Sequence, residues 1–280
     1  MKKIINHILN KNTDSPILLD VFYEETQTKK PVIIFCHGFK SYKDWGAYNQ
    51  MAEFFASKGF VFLKFNFSHN GGTMTQPIDF PDLEKFAKNT FSKEQNDLDE
   101  VISFIENNDS VPFIEKNTEQ IYITGHSRGG ASAIIKAIHD KRIKKIATLG
   151  SVIEITNFSK SNEFVEDWKK KGVTYVPNLR TNQLMPLNFS LYEDFMENQD
   201  KFDIPKIAHL LSIPQLIIHG TNDETVAVEE AHLMKKLNPK AKLHLIETNH
   251  TFDLVQPWNE YFMPNAFLES LTEIDLFFKQ

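Results

Sequence analysis

The chain has 280 residues, of which 41% are hydrophobic and 24% are charged, and it has one cysteine, Cys36. This composition is typical of a globular protein that buries a large core, and a lone cysteine excludes an internal disulfide. The formal net charge of −6 argues against nucleic acid or an anionic membrane as the main partner. The first residues lack the apolar core of a signal peptide, and no stretch approaches the ~20 apolar residues that span a bilayer. We therefore expect a cytoplasmic protein.

The first half of the chain predicts strands that alternate with helices. Apolar runs at 3–9 and 17–23 flank a polar turn, which predicts an antiparallel hairpin. After the hairpin, short β-branched runs predict buried strands and amphipathic runs predict helices. The predicted strands are 32–36, 60–67, 120–124 and 145–151, and the predicted helices are 45–59, 92–108 with Ser92 as N-cap, and 129–140.

The alternation stops after the fourth of these strands and resumes near the end of the chain. Between 152 and 210, aromatic, charged and amide residues mix without a clear period, and prolines interrupt the segment. The pattern then returns as the strand 214–220, the helix 226–237, the strand 242–247 and the helix 264–279.

Strands that alternate with helices predict parallel pairing and right-handed crossovers. We expect an α/β fold, a three-layer sandwich with a mostly parallel sheet and an N-terminal antiparallel hairpin. Residues 1–151 and 211–280 would form the core, and 152–210 would form an inserted cap or lid over the carboxyl ends of the strands. Its aromatic side chains either pack the lid onto the core or line an apolar acyl or aryl pocket. They are Phe158, Phe164, Trp168, Tyr175, Phe189, Tyr192 and Phe195.

A serine stands at a glycine turn between a predicted strand and a predicted helix. The stretch "GHSRGG" fits Gly-x-Ser-x-Gly, with Ser127 at the centre and Gly125 and Gly129 two residues to either side. Small neighbours permit a strained turn that exposes the Ser127 hydroxyl, and the amides of the following helix stabilise developing negative charge. The alternative is a glycine turn in which the serine is incidental.

A serine nucleophile needs a base, and the base needs a carboxylate that orients it. His250 follows the strand 242–247, and Asp223 follows the strand 214–220. The order Ser127, Asp223, His250 is the order Ser…Asp/Glu…His of this architecture. We therefore predict these three as the catalytic residues. Asp253 is a second candidate for the acid, although it lies only three residues after His250.

Two backbone amides are predicted to bind the oxyanion of a tetrahedral intermediate. One is the amide of Arg128, directly after the serine, and the other is the amide of Phe39 in "HGF", after an early strand. The Arg128 side chain more often pairs with a carboxylate in such a position than with a substrate, and we expect His126 to have a structural role. The acids and histidines show no metal-ligand spacing, so we predict no metal.

These residues resemble the α/β-hydrolase superfamily. The chain is similar to serine esterases grouped near cinnamoyl (feruloyl) esterases and dienelactone-hydrolase-like proteins, through matches that extend over about residues 32 to 253. The matching pieces are "HGF", "FNFSHNGG", "GHSRGG", "HGTNDETV" and "NHTF". Dienelactone hydrolases proper use a cysteine nucleophile, and Ser127 occupies that position here. The resemblance implies hydrolysis of acyl esters without a cofactor.

The sequence thus predicts a serine hydrolase that cleaves small carboxylic esters through an acyl-enzyme, with aryl and hydroxycinnamoyl esters among the candidates. The expected partner is a small-molecule ester, and the oligomeric state stays open. Two other functions remain possible for the same fold. One is a serine peptidase or amidase, and the other is a binding protein that has lost the reaction.

Overall fold

The computed structural model describes residues 1–156 and 161–280, so Phe158 lies outside the described residues. Ten strands occur in the described part of the chain, eight in one sheet and two in a separate hairpin. The strands are β1 Lys2–Leu9, β2 Ile17–Tyr23, β3 Lys30–Cys36, β4 Val61–Asn66, β5 Lys116–His126, β6 Ile143–Leu149, β7 Val173–Asn178, β8 Gln183–Asn188, β9 Gln215–Gly220 and β10 Lys242–Ile246.

The large sheet has the strand order β1-β2-β4-β3-β5-β6-β9-β10. β1 pairs antiparallel with β2, and β2 pairs antiparallel with β4, whereas every pair from β4 to β10 is parallel. The predicted N-terminal hairpin and the mostly parallel sheet are therefore confirmed. The carboxyl ends of the parallel strands meet at one edge of the sheet, which is where open α/β sheets bind ligands.

Helices cover both faces of this sheet. They are α1 Tyr48–Ser57, α2 Leu83–Ala87, α3 Phe91–Asn107, α4 Arg128–His139, α5 Asn162–Lys171, α6 Ser190–Glu197, α7 Gln199–Phe202, α8 Ile204–Ile207, α9 Val228–Leu237 and α10 Asn265–Lys279, with a 3-10 turn at Ala208–Leu210. Along β3, Ile34 packs into one apolar layer and Ile33 and Phe35 pack into the other, because successive side chains point to opposite faces. α3, α4 and α9 lie on the first face, and α1 and α10 lie on the second. The predicted three-layer sandwich is confirmed.

The start of α3 differs from the prediction. Ser92 is not the N-cap, because the helix begins at Phe91 and the Thr90 side chain accepts a hydrogen bond from the Lys93 amide. Thr90 and Ser92 both carry a hydroxyl. Thr90 is the one that precedes the helix, and its backbone has the extended conformation that an N-cap requires. Ser92 lies in the first turn, where its amide donates to Asp194. The segment between β4 and α3 also contains the short helix α2.

The segment 152–210 is more regular than its sequence indicates. It contains α5, the antiparallel hairpin β7–β8 and the short helices α6 to α8. Trp168 and Met185 are buried in the same apolar layer as residues of the central sheet, and the rings of Phe195 and Phe202 both contact Phe91 of α3. These elements are short, and their buried faces are determined by contacts with distant helices. The spacing of hydrophobic residues in the sequence therefore does not reveal them.

No helix in the described ranges combines the length and the apolar character that crossing a membrane requires.

Candidate active site

The serine turn lies between β5 and α4, as the sequence predicts. The backbone of Ser127 has a φ of +54° and a ψ of −122°, a strained conformation for a residue with a side chain. A Cβ at Gly125 would lie 2.3 Å from the Gly129 carbonyl oxygen, and a Cβ at Gly129 would lie 2.2 Å from the Cys36 carbonyl oxygen. Only glycine fits at both positions. The Ser127 amide donates to the Leu149 carbonyl at 2.8 Å and fixes the turn against β6.

Asp223 and His250 meet at the same edge of the sheet. Asp223 follows β9 and His250 follows β10, and His250 Nδ1 donates to Asp223 Oδ2 at 2.7 Å. The amides of Thr225 and Val226 donate to Asp223 Oδ1 at 2.9 and 2.8 Å, so the carboxylate is held at both oxygens. In the described residues, His250 makes no such bond with Asp253. Asp223 is therefore the acid that contacts His250.

A second histidine, His219, also approaches the Asp223 carboxylate. His219 is fully buried on β9, and its Nε2 lies 2.8 Å from the Val226 carbonyl oxygen and 3.3 Å from Asp223 Oδ2. Burial alone raises the pKa of Asp223, but hydrogen bonds from His219, His250 and the Val226 amide outweigh it and hold that pKa well below its usual range. His219 is not predicted from the sequence because it lies inside an apolar strand. Its position four residues before the acid is the one available signal.

His126 supports the loop that carries His250. Its Nε2 lies 2.8 Å from the His250 carbonyl oxygen, and the two imidazole rings are 4.7 Å apart. Because a carbonyl can only accept, Nε2 must carry the proton. Burial lowers the pKa of His126 to about 3, so the ring is neutral near neutral pH. This contact agrees with the structural role expected of His126.

The two amides predicted for the oxyanion lie on segments that touch each other. A Cβ at Gly38 would lie 3.2 Å from the Ser127 Cβ, so the loop after β3 packs closely against the serine turn. In the described part of the chain, neither the Phe39 amide nor the Arg128 amide donates to a protein acceptor. Both are therefore free to bind a developing negative charge.

Buried polar contacts anchor the loop after β3. The Phe67 amide donates to His37 Nε2 at 3.2 Å, and the Lys43 amide donates to Asn66 Oδ1 at 2.6 Å. The Lys43 ammonium is buried and donates to Asp20 Oδ2 at 2.7 Å. The loop is thus fixed to β2 and to the end of β4, which preorganises the Phe39 amide.

The Arg128 side chain pairs with a carboxylate, which confirms the expectation. Its Nε donates to Glu94 Oε1 at 2.7 Å, and the guanidinium lies 4.3 Å from the centre of the Phe91 ring. Glu94 is buried and also accepts from the Ser132 hydroxyl at 2.7 Å. The charge of Arg128 is therefore balanced within the protein.

Ser127 and His250 line one cavity of about 730 Å³. The segment 152–210 contributes five aliphatic side chains to its wall, namely Val152, Ile155, Val176, Leu187 and Leu191. The described aromatic residues of the insert are not part of this wall: Phe164, Phe189 and Tyr192 pack around Trp168, Phe195 packs on α3, and Tyr175 is exposed. Within the described ranges, no group of three or more His, Cys, Asp and Glu side chains could hold a metal ion.

A mostly parallel sheet with a strained serine turn after β5, and an acid and a histidine after later strands, defines an α/β-hydrolase. Family comparison agrees. Residues 2–177 match the family model described as Chlorophyllase, and residues 105–263 match the one described as PhoPQ-activated pathogenicity-related protein. The chain belongs to the chlorophyllase family within the α/β-hydrolase superfamily.

Individual relatives are distant. "Putative esterase/lipase 2" of Mycoplasma genitalium is 24% identical over 234 residues, which cover 76% of this chain and 78% of that protein. Est1E of Butyrivibrio proteoclasticus with ferulic acid bound superposes with a TM-score of 0.68 at 17% identity, covering 93% of this chain and 94% of that one. Mouse alpha/beta hydrolase domain-containing protein 10 has a TM-score of 0.69 at 18% identity, with 98% of both chains covered. These structures share the fold.

Proposed function

We propose that the protein is a serine hydrolase that cleaves small carboxylic esters through an acyl-enzyme. Ser127 is the nucleophile, His250 is the general base and acid, and Asp223 orients His250. The observation that carries this proposal is the 2.7 Å bond from His250 Nδ1 to Asp223, beside a cavity that the strained Ser127 also lines.

In the first half of the reaction, Ser127 Oγ attacks the ester carbonyl carbon while its proton passes to His250 Nε2. The carbonyl oxygen becomes an oxyanion, which accepts hydrogen bonds from the free amides of Phe39 and Arg128. The tetrahedral intermediate collapses, the alcohol leaves with the proton held by His250, and the acyl group stays on Ser127.

In the second half, His250 takes a proton from water, and the resulting hydroxide attacks the acyl carbonyl. Collapse of this second intermediate releases the carboxylic acid and returns the proton to Ser127. Asp223 stays ionised throughout, because the hydrogen bonds that hold its pKa low persist, and it stabilises the imidazolium without taking its proton.

The segment 152–210 acts in this proposal as a cap over the cavity, with 1–151 and 211–280 as the core. Support comes from the five aliphatic side chains that it contributes to the cavity wall. Mostly apolar walls suit an acyl or aryl group. The names of the M. genitalium relative and of the ferulic acid complex favour an ester as substrate, with aryl and hydroxycinnamoyl esters among the candidates.

The test is hydrolysis of p-nitrophenyl and hydroxycinnamoyl esters, with a panel of anilides beside them. We expect ester cleavage that the Ser127→Ala variant loses by about ten thousand-fold or more in kcat. Ser57→Ala, at the exposed end of α1, is the matched control and should retain full activity. Undiminished ester cleavage by Ser127→Ala would refute the assignment, and cleavage of anilides alone would favour an amidase.

A further inference from the structure

One lysine of the candidate site has no carboxylate partner among the described residues. Lys40 follows the oxyanion residue Phe39 and lines the cavity. Its Nζ donates to the Pro177 carbonyl at 3.0 Å, and in the described part of the chain no carboxylate is within ion-pair distance of it. Burial lowers the pKa of Lys40, and no acidic neighbour offsets that effect. A half-buried ammonium of this kind is stabilised when a negative group approaches it.

The second cation near this end of the cavity belongs to the cap. Arg180 lies in the turn of the β7–β8 hairpin and lines the same cavity, and it pairs with Asp79. Asp79 also accepts from the Tyr42 hydroxyl at 3.3 Å. Arg180 thus has one carboxylate partner and Lys40 has none within ion-pair distance among the described residues, which leaves a net positive charge on this pair of cations.

The opposite end of the cavity is acidic. Glu154 follows β6 and Glu230 lies on α9, and both line the cavity. Glu230 accepts from the amides of Ile153 and Glu154 at 2.7 and 2.9 Å, which stabilises its negative charge there. In the sheet, β5 lies between β3 and β6, so the serine at the end of β5 lies between the loop with Lys40 and the loop with Glu154.

We propose that the cavity selects esters that carry a carboxylate on the part of the molecule that lies on the β3 side of Ser127, where Lys40 receives it. The inference rests on the proposed function, because it concerns the same cavity and the same nucleophile. The bond between the carbonyl carbon and the ester oxygen joins an acyl part to an alcohol part. Only one of these two parts occupies the end of the cavity that Lys40 lines. Glu154, which is exposed at the other end, disfavours an anion there, so the charged part enters in one orientation.

The experiment compares esters that differ only in charge. Mono-p-nitrophenyl suberate carries a free carboxylate on its acyl part, and its methyl ester is the neutral partner. 4-Butanoyloxybenzoate and its methyl ester form the same pair for the alcohol part. We expect the wild type to prefer the charged member of one pair by about tenfold or more in kcat/KM. That preference should vanish in Lys40→Met and persist in Lys40→Arg. Lys58→Met, at the exposed end of α1, is the control and should keep it.

A binding readout separates this inference from the proposed function. Monomethyl suberate and dimethyl suberate are titrated calorimetrically into Ser127→Ala and into the same variant with Lys40→Met. Tighter binding of the carboxylate that depends on Lys40 supports the inference, whether or not esters turn over. Equal binding of both ligands, or a preference that survives Lys40→Met, overturns it. Failure of the proposed function has a different signature, which is absence of Ser127-dependent cleavage for every ester.

Discussion

His126, which precedes the proposed nucleophile Ser127, is neutral and buried, and its Nε2 proton is donated to the His250 carbonyl. Replacement of His126 by Phe removes that bond while the ring volume stays similar. This bond holds the loop that carries His250. At metal sites, loss of a hydrogen bond that orients a ligating histidine costs about 10- to 100-fold in activity. We therefore expect His126 to act as a positioning residue rather than as a second base.

We expect His126→Phe to lower kcat by about tenfold or more and to change KM less than kcat, because His126 is one of many residues that line the cavity. His126→Gln retains an N–H donor at a similar reach and should recover most of the loss. The pH profile of kcat distinguishes the roles: a positioning residue leaves its shape unchanged, whereas loss of one limb in His126→Phe would show that His126 itself transfers a proton.

At the level of elements, one buried carboxyl joins α3 to the loop after β4. Asp97 on α3 accepts from the Ser68 amide at 2.7 Å. Burial, aided by the nearby Glu94, raises the pKa of Asp97 to about 7. The folded protein thus holds a proton between about pH 4 and pH 7 that the unfolded chain releases. The contribution of Asp97 to the free energy of unfolding is therefore full near pH 4 and falls as the pH rises to about 7.

Asp97→Asn keeps an acceptor for Ser68 and removes the ionisation. We expect the variant to gain stability relative to the wild type as the pH rises from about 4 to about 7, by up to about 1.4 kcal/mol per pH unit. Urea unfolding at several pH values measures the difference. Glu100→Gln, on the exposed side of the same helix, is the control and should show no such trend. A difference between Asp97→Asn and wild type that does not vary with pH would contradict this account.

For the whole molecule, the inserted segment and the sheet share one apolar layer. Trp168 and Met185 of the insert are buried in the same layer as Ile34 and Ile123 of the central strands. Because neither part buries this surface alone, we expect a single cooperative unfolding transition. With Trp45 and Trp258 replaced by Phe, fluorescence reports on Trp168 and circular dichroism on the whole chain. Coincident midpoints are expected, and an earlier midpoint for Trp168 would show that the insert unfolds separately.

Sequence predicts the parts of this molecule that local rules determine. The β-branched runs predict the strands, and Gly125 and Gly129 mark the serine turn, because a Cβ at either position meets backbone. The insert could not be predicted in the same way, since its short helices are defined by distant contacts such as Phe91 with Phe195. His219 could not be predicted for a related reason, because its contact with Asp223 depends on a loop that folds back onto β9.

The most direct test of the central claim is peptide mapping after reaction with a fluorophosphonate. We predict one adduct per chain, on Ser127, with ester cleavage lost in proportion to labelling. Asp223→Asn should label more slowly, because the imidazole that activates the serine loses its orienting carboxylate. An adduct on another residue, or full ester cleavage by a chain labelled at Ser127, would contradict the account.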